Sequence, residues 1–175
     1  MTDKQKQFLE LAVLQQVKYP EISQILQVDR VTLGKWWDEL KSEREKLSGT
    51  RRIWKLKCKT ANFSDFKSWY ESAQRKCFYC GIDENEIQLL LNTNKVNTKR
   101  IKTRGKKLEI ERLLPNEEYD KFENLVFCCY WCNNAKSDEF SAEEFKPIGK
   151  ILGEIWKNRL GETKGEGKPK EAAIV

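Results

Sequence analysis

The sequence predicts an α+β chain in two parts: an all-helical N-terminal segment, then a small core of two strands and a helix braced by a four-cysteine zinc ribbon. Three observations point there. Apolar residues recur at steps of three and four through residues 3–47. Two Cys-x-x-Cys pairs, Cys77/Cys80 and Cys129/Cys132, have the spacing that aims both sulfurs of a short turn at one ion. Between them, "LEIE" (108–111) alternates as a strand does. In a chain of 175 residues, two small domains bury little apolar area each, so a staple is expected.

The first helix rests on Phe8, Leu11, Ala12, Leu14 and Val17, a stripe that ends near Tyr19-Pro20. Pro20 suits the first turn of a second, short helix containing Ile22, Ile25 and Leu26. Asp29 caps a third, in which Val31, Leu33, Trp36, Trp37 and Leu40 are apolar while Arg30, Thr32 and Lys35 stay available. This pair of helices resembles a helix-turn-helix unit, with Arg30 to Leu40 as the segment that would enter a DNA major groove. In "TRRIWKLKCKTANFS", Trp54, Leu56 and Cys58 alternate with Lys55, Lys57 and Lys59, which predicts an extended basic connector. Ser64 is expected to cap the next helix, with Phe66, Trp69, Tyr70 and Ala73 on one face. Asp83 caps another, short and built on Ile87, Leu90 and Leu91. Toward the C-terminus, Ser141 and Glu144 form a capping box, and Ile148, Ile151, Leu152, Ile155 and Trp156 predict an amphipathic helix after Pro147 that packs on the core. The expected divisions are a helical domain at 1–48, a basic connector at 49–62, the zinc-ribbon domain at 63–160 and a disordered Gly- and Lys-rich tail at 161–175.

Composition narrows the function. Charged residues make up 34% and hydrophobic ones 39%, with no apolar run near the roughly 18 residues of a membrane span and no basic-then-apolar leader. Six cysteines in this pattern suit a metal site in a reducing compartment, which predicts a cytoplasmic protein with no membrane partner. Charge is unevenly placed: residues 51–107 have 15 basic and 5 acidic groups, whereas 108–146 have 4 and 10. A polyanion-binding surface beside a cation-binding pocket would have this distribution. Seven Lys or Arg with no acid between Lys95 and Lys107 mark a phosphate-contacting loop, with Arg100, Lys102, Arg104, Lys106 and Lys107 as the candidates.

Cys77, Cys80, Cys129 and Cys132 are the expected Zn²⁺ ligands, and four protein ligands make a structural site with no open position. Cys128 is the alternative to Cys129, although the gap to Cys132 favours the latter. Cys58 and Cys128 read as buried reduced thiols.

The stretch Leu108 to Asp138, "LEIERLLPNEEYDKFENLVFCCYWCNNAKSD", resembles the HNH endonucleases, whose ββα-metal finger is braced by a zinc ribbon; the resemblance covers about Lys76 to Lys146. "LEIER" stands for the first strand, Pro115 for the loop, Asn124-Leu125 for the start of the second strand and Cys132-Asn133 for the opening of the helix. The pattern departs at its centre, with Glu111 for the usual Asp and Arg112 for the His that acts as base; the chain has no histidine. The resemblance implies that Glu111 and Asn133 hold Mg²⁺ or Mn²⁺ against a phosphate, that Asn124 fixes the loop through its backbone, and that Lys136 faces the phosphate. Arg112, a guanidinium, is no base and would act as a cation, while a metal-activated water or Glu109 on the same strand would partly replace the base.

Two classes of function follow: a divalent-metal-dependent DNA endonuclease, or a catalytically silent zinc protein that binds DNA as a regulator or as a subunit of a larger mobile-element or defence complex. Double-stranded DNA is the expected partner, with RNA substrates and a protein partner left open.

Overall fold

The computed structural model describes residues 1–96 and 104–161 and divides into two compact units, Met1–Glu71 and Ser72–Val175. Arg100, Lys102 and the tail beyond Gly161 lie outside the described residues.

The first unit is helical throughout. Helix α1 (Asp3–Leu9) is closed at its start by a capping box between Thr2 and Gln5, then widens into a π turn over Glu10–Leu14. Helix α2 (Tyr19–Leu26) has Pro20 in its first turn and stops where Gln27 turns left-handed at φ 50°. Helix α3 (Arg30–Glu39) is capped by Asp29, whose carboxylate accepts from the amides of Val31 and Thr32. Phe8, Ile22 and Leu33 are fully buried between these helices. The Phe8 ring meets Tyr19, Trp36 and Trp37 edge-on at 5.9, 5.9 and 6.4 Å, so the tryptophan pair is core packing.

The expected connector proves helical. Helix α4 (Lys41–Lys57) includes Trp54, Leu56 and Lys57, and its Arg51 donates to the carbonyl of Val13 at 2.7 Å. The alternation of Trp54, Leu56 and Cys58 misled because helical neighbours Ile53, Trp54 and Lys57 face inward together while Leu56 is 73% exposed. Helix α5 (Phe63–Ser72) is capped two positions earlier than expected: Asn62, not Ser64, accepts from the amides of Ser64 (2.8 Å) and Asp65 (3.4 Å). Residues 49–71 therefore belong with the first unit.

In the second unit, helix α6 (Glu84–Asn92) opens on the Asp83 capping box. Strands β1 (Glu109–Arg112) and β2 (Leu125–Cys128) form an antiparallel pair in which Glu109 faces Cys128 and Glu111 faces Val126. Helix α7 (Tyr130–Lys136) follows Cys129 directly and packs on β1. Helix α8 (Ala142–Gly161) starts at the Ser141–Glu144 box and runs through Pro147, so the box and the apolar stretch after Pro147 belong to one helix. Its buried face is also different: Phe145, Gly149, Gly153 and Trp156 face inward, while Ile148, Ile151 and Ile155 are 40%, 59% and 37% exposed. The reason is close approach. A Cβ on Gly149 would lie 2.6 Å from the Tyr79 Cβ, and one on Gly153 would lie 2.6 Å from the Cys80 carbonyl oxygen. Two glycines one turn apart let the helix axis come nearer than isoleucines would. Among the described residues no helix is long and apolar enough to cross a membrane.

Candidate functional site

Two neighbouring constructions make up the site. The first is a cysteine cluster. Cys77 and Cys80 sit on a turn closed by the Cys77 amide on the Ile82 carbonyl (2.9 Å) and by Gly81, whose φ of 76° is in the region glycine tolerates. The turn is tied to β2 through the Phe78 amide on the Phe127 carbonyl at 2.8 Å. Cys129 caps α7, its sulfur accepting from the Cys132 amide, so strand end and helix start deliver the second pair. All four sulfurs lie within 4.8 Å of one another, and Cys80 Sγ is 3.7 Å from Cys129 Sγ. Tetrahedral metal–sulfur bonds of about 2.3 Å require sulfur separations of about 3.8 Å. The donor set fits a metal ion. Cys129 is the member that joins the set; Cys128 is fully buried with its sulfur 3.9 Å from Cys77 Sγ. In the protein alone, hydrogen bonds from neighbouring thiols, Cys128 first, hold the Cys77 thiol far below its ordinary range, whereas hydrogen bonding to Cys132, then Cys77 and Cys80, holds Cys129 far above it. Four sulfurs this close form a site in which an ion would displace the thiol protons as it binds.

The second construction is the face between β1 and α7. Strand period puts Glu109 and Glu111 on one face, and helical spacing of three does the same for Asn133 and Lys136. They meet as two rungs. Asn133 Nδ2 donates to Glu109 Oε2 at 2.6 Å, and Lys136 Nζ donates to Glu111 Oε1 at 3.2 Å. Arg104 closes on both oxygens of Glu109 through Nε and Nη2, each at 2.6 Å. Lys136 is wholly buried and Glu111 is 8% exposed. Their pairing is thus an interior ion pair, and the amide partner of Asn133 is Glu109, which sequence reasoning treated as secondary.

Arg112 ends the strand and is fastened to the loop that follows. Its Nη1 donates to the Glu117 carbonyl at 3.0 Å, its Nη2 is 3.9 Å from Asp138, and its guanidinium lies 4.6 Å from the Tyr119 ring centre. Asn124 is buried and spans the same loop: Nδ2 donates to the Leu114 carbonyl (3.1 Å) and Oδ1 accepts from the Leu114 amide (2.8 Å). The loop between the strands is therefore pinned at both ends by side chains, which fixes where Arg112 points. Glu84, unmarked in the sequence, anchors the start of β1 by accepting from the Leu108 amide at 3.1 Å while pairing with Arg75.

Of the remaining candidates, Lys106 and Lys107 are exposed beside Arg104. Arg30 and Lys35 are exposed on α3, but the Thr32 hydroxyl is turned back onto Asp29 at 2.6 Å and serves the cap. That bond, followed by the Thr32 amide, holds the Asp29 carboxyl below its ordinary pKa.

No family model matches the chain, and no curated protein matches it. Among solved structures it is similar to the rare-cutting HNH restriction endonuclease PacI, described for its mechanism of DNA perturbation, with 29% identity over 70% of this chain and 78% of that one and a TM-score of 0.47.

Proposed function

We propose that this chain is a divalent-metal-dependent DNA endonuclease that works without an imidazole base. The observation behind the reading is the strand-to-helix face: two carboxylates of β1, Glu109 against the Asn133 amide and Glu111 beside it on Lys136, with the Arg112 guanidinium at the strand end. Carboxylate and amide oxygens suit a hard cation such as Mg²⁺ or Mn²⁺. A cation held there would polarise a phosphodiester and lower the pKa of a bound water.

The chain's own groups divide the remaining work. Asn133, bonded to Glu109 through Nδ2, has its Oδ1 as the oxygen it would offer to the ion. Asn124 holds the Leu114 backbone so that the loop and Arg112 keep one geometry. Arg112 brings a guanidinium to the strand end, where it would stabilise the negative charge that builds on the phosphorus oxygens. Loss of general-base assistance costs about 10²–10⁴ in rate, so slow cleavage is expected. Lys136 is committed to Glu111 inside the protein rather than to a phosphate. In the ribbon, Zn²⁺ bound by Cys77, Cys80, Cys129 and Cys132 holds the knuckle, β2 and α7 together, a structural role that leaves no ligand position for substrate. Arg30 and Lys35 of α3, in a helix-turn-helix-like pair, and Arg104, Lys106 and Lys107 are the proposed contacts to duplex DNA.

One observation favours the second reading, a silent DNA-binding protein or subunit of a larger complex: Glu111 is already neutralised by a buried lysine. Plasmid nicking separates the two. Cleavage is expected with Mg²⁺ or Mn²⁺, is expected to vanish with chelator and in Glu111→Ala, and should quicken in Arg112→His. Absence of nicking by the parent with every metal, alongside activity in Arg112→His, establishes the silent reading; nicking unchanged in Glu111→Ala removes the site assignment.

A further inference from the structure

Arg104 stands where two functions meet. It is the last arginine of the basic run Lys95–Lys107 and the residue whose guanidinium closes over Glu109. Its fork satisfies both Glu109 oxygens, and Oε2 accepts from Asn133 as well. With its side chain 48% exposed against 17% for Glu109, the arginine is the solvent-side cover of the carboxylate. The same planar fork that grips a carboxylate grips a phosphodiester with equal geometry. A divalent cation and this two-pronged guanidinium compete for Glu109, because Arg104 takes both of its oxygens and the positive charges repel at a few ångströms.

We propose that Arg104 couples DNA engagement to metal binding: in the free protein it occupies Glu109, and when a duplex arrives it transfers its fork to a backbone phosphate, leaving Glu109 and Asn133 to the divalent cation. The inference rests on the metal-dependent reading above and deepens it, by naming a residue that prevents the ion from loading before the substrate. Charge balances across the exchange, since the phosphodiester takes over the arginine while the cation takes over the carboxylate. By linkage, DNA must tighten metal binding by the factor by which metal tightens DNA binding. Ion and duplex then load together, and a nuclease loaded only in the presence of substrate is the result.

The test measures Mn²⁺ affinity of the zinc-loaded full chain by the electron paramagnetic resonance of free Mn²⁺, with and without a phosphorothioate duplex that resists hydrolysis, against a blank of the duplex alone. The wild-type chain is expected to bind Mn²⁺ about tenfold more tightly with the duplex, a usual size for coupling between sites. Arg104→Ala and Arg104→Gln are expected to bind Mn²⁺ about tenfold more tightly than wild type without DNA and to gain little on adding it. Glu109→Gln is expected to bind weakly in both conditions. Equal Mn²⁺ affinity in wild type and both Arg104 variants, with equal tightening by DNA, overturns the hand-off and leaves the metal-dependent reading standing. Unweakened Mn²⁺ binding by Glu109→Gln places the ion away from Arg104 and also overturns it. Absence of Mn²⁺ binding by every protein, with or without duplex, overturns both. Zinc content and circular dichroism of each variant establish that it is folded, and two substitutions at an exposed position keep the result from hanging on one.

Discussion

The Lys136–Glu111 pair shows how one contact shapes what the site can do. A fully buried ammonium is tolerated only because the carboxylate lies 3.2 Å away and the Ser137 carbonyl accepts a second bond at 3.3 Å. Removing one partner of such a pair typically costs about 3–5 kcal/mol, whereas replacing both by well-packed apolar groups is often neutral. Lys136→Met is therefore expected to lower stability by about that amount in urea titration, and Lys136→Met with Glu111→Leu to regain most of it. If Lys136→Met alone is neutral, the pair is not the interior contact described. The motif placed Glu111 on the first strand and Asn133 on the helix as the structure has them, while Asn124, expected to begin the second strand, ends the short turn just before it. It could not reveal which carboxylate meets which helical group: β1 offers Glu109 and Glu111 two apart, α7 offers Asn133 and Lys136 three apart, and packing alone sets the offset between them. The Arg104 fork on Glu109 was equally hidden, since charge along a chain says nothing of the rotamer that a neighbouring carboxylate selects.

Elements whose signals were local were legible, and those decided by packing were not. Caps at Asp29, Asp83 and Ser141 stand where side-chain chemistry predicts them. The α4 segment was misread because four apolar or basic positions alternate by chance within a helix. Helix α8 was read with the wrong face inward because hydrophobicity ranks isoleucine above glycine, whereas the ribbon needs a helix at short range. This gives a paired expectation. In Gly153→Ala the new methyl meets the Cys80 carbonyl, which belongs to the turn of the candidate metal site and cannot easily retreat, so a loss of about 1–3 kcal/mol is expected, with faster release of bound zinc to a chromogenic chelator. Gly49→Ala in α4 meets no atom within 4 Å and should instead gain about 0.5–1 kcal/mol from helix propensity. Thermal unfolding of both variants checks the contrast, and unchanged zinc release in Gly153→Ala would show that α8 does not brace the knuckle.

At the scale of the molecule, the question is whether the helical unit is part of the DNA-binding surface or an attachment for something else. Residues 1–71 carry 14 basic and 10 acidic groups, too even a balance to bind a polyanion through net charge alone. Binding through this unit must come from particular residues, and Arg30 and Lys35 are the cations exposed on α3, with Thr32 withdrawn into the cap. Each phosphate contact on duplex DNA releases condensed counterions and steepens the fall of log affinity with log salt by about 0.9. Replacing Arg30 and Lys35 together by Ala in the full chain should therefore reduce that slope by nearly 2, while replacing Lys106 and Lys107 should reduce it by a similar amount, because each phosphate contact releases its own counterions. Fluorescence anisotropy of a labelled duplex over a range of salt gives both slopes from one titration series. An unchanged slope in the Arg30/Lys35 variant, with a lowered one in the Lys106/Lys107 variant, would assign DNA binding to the second unit alone, and the hydrophobic side chains left exposed on the first, Ile25 and Val31, would then mark it as a surface for a protein partner.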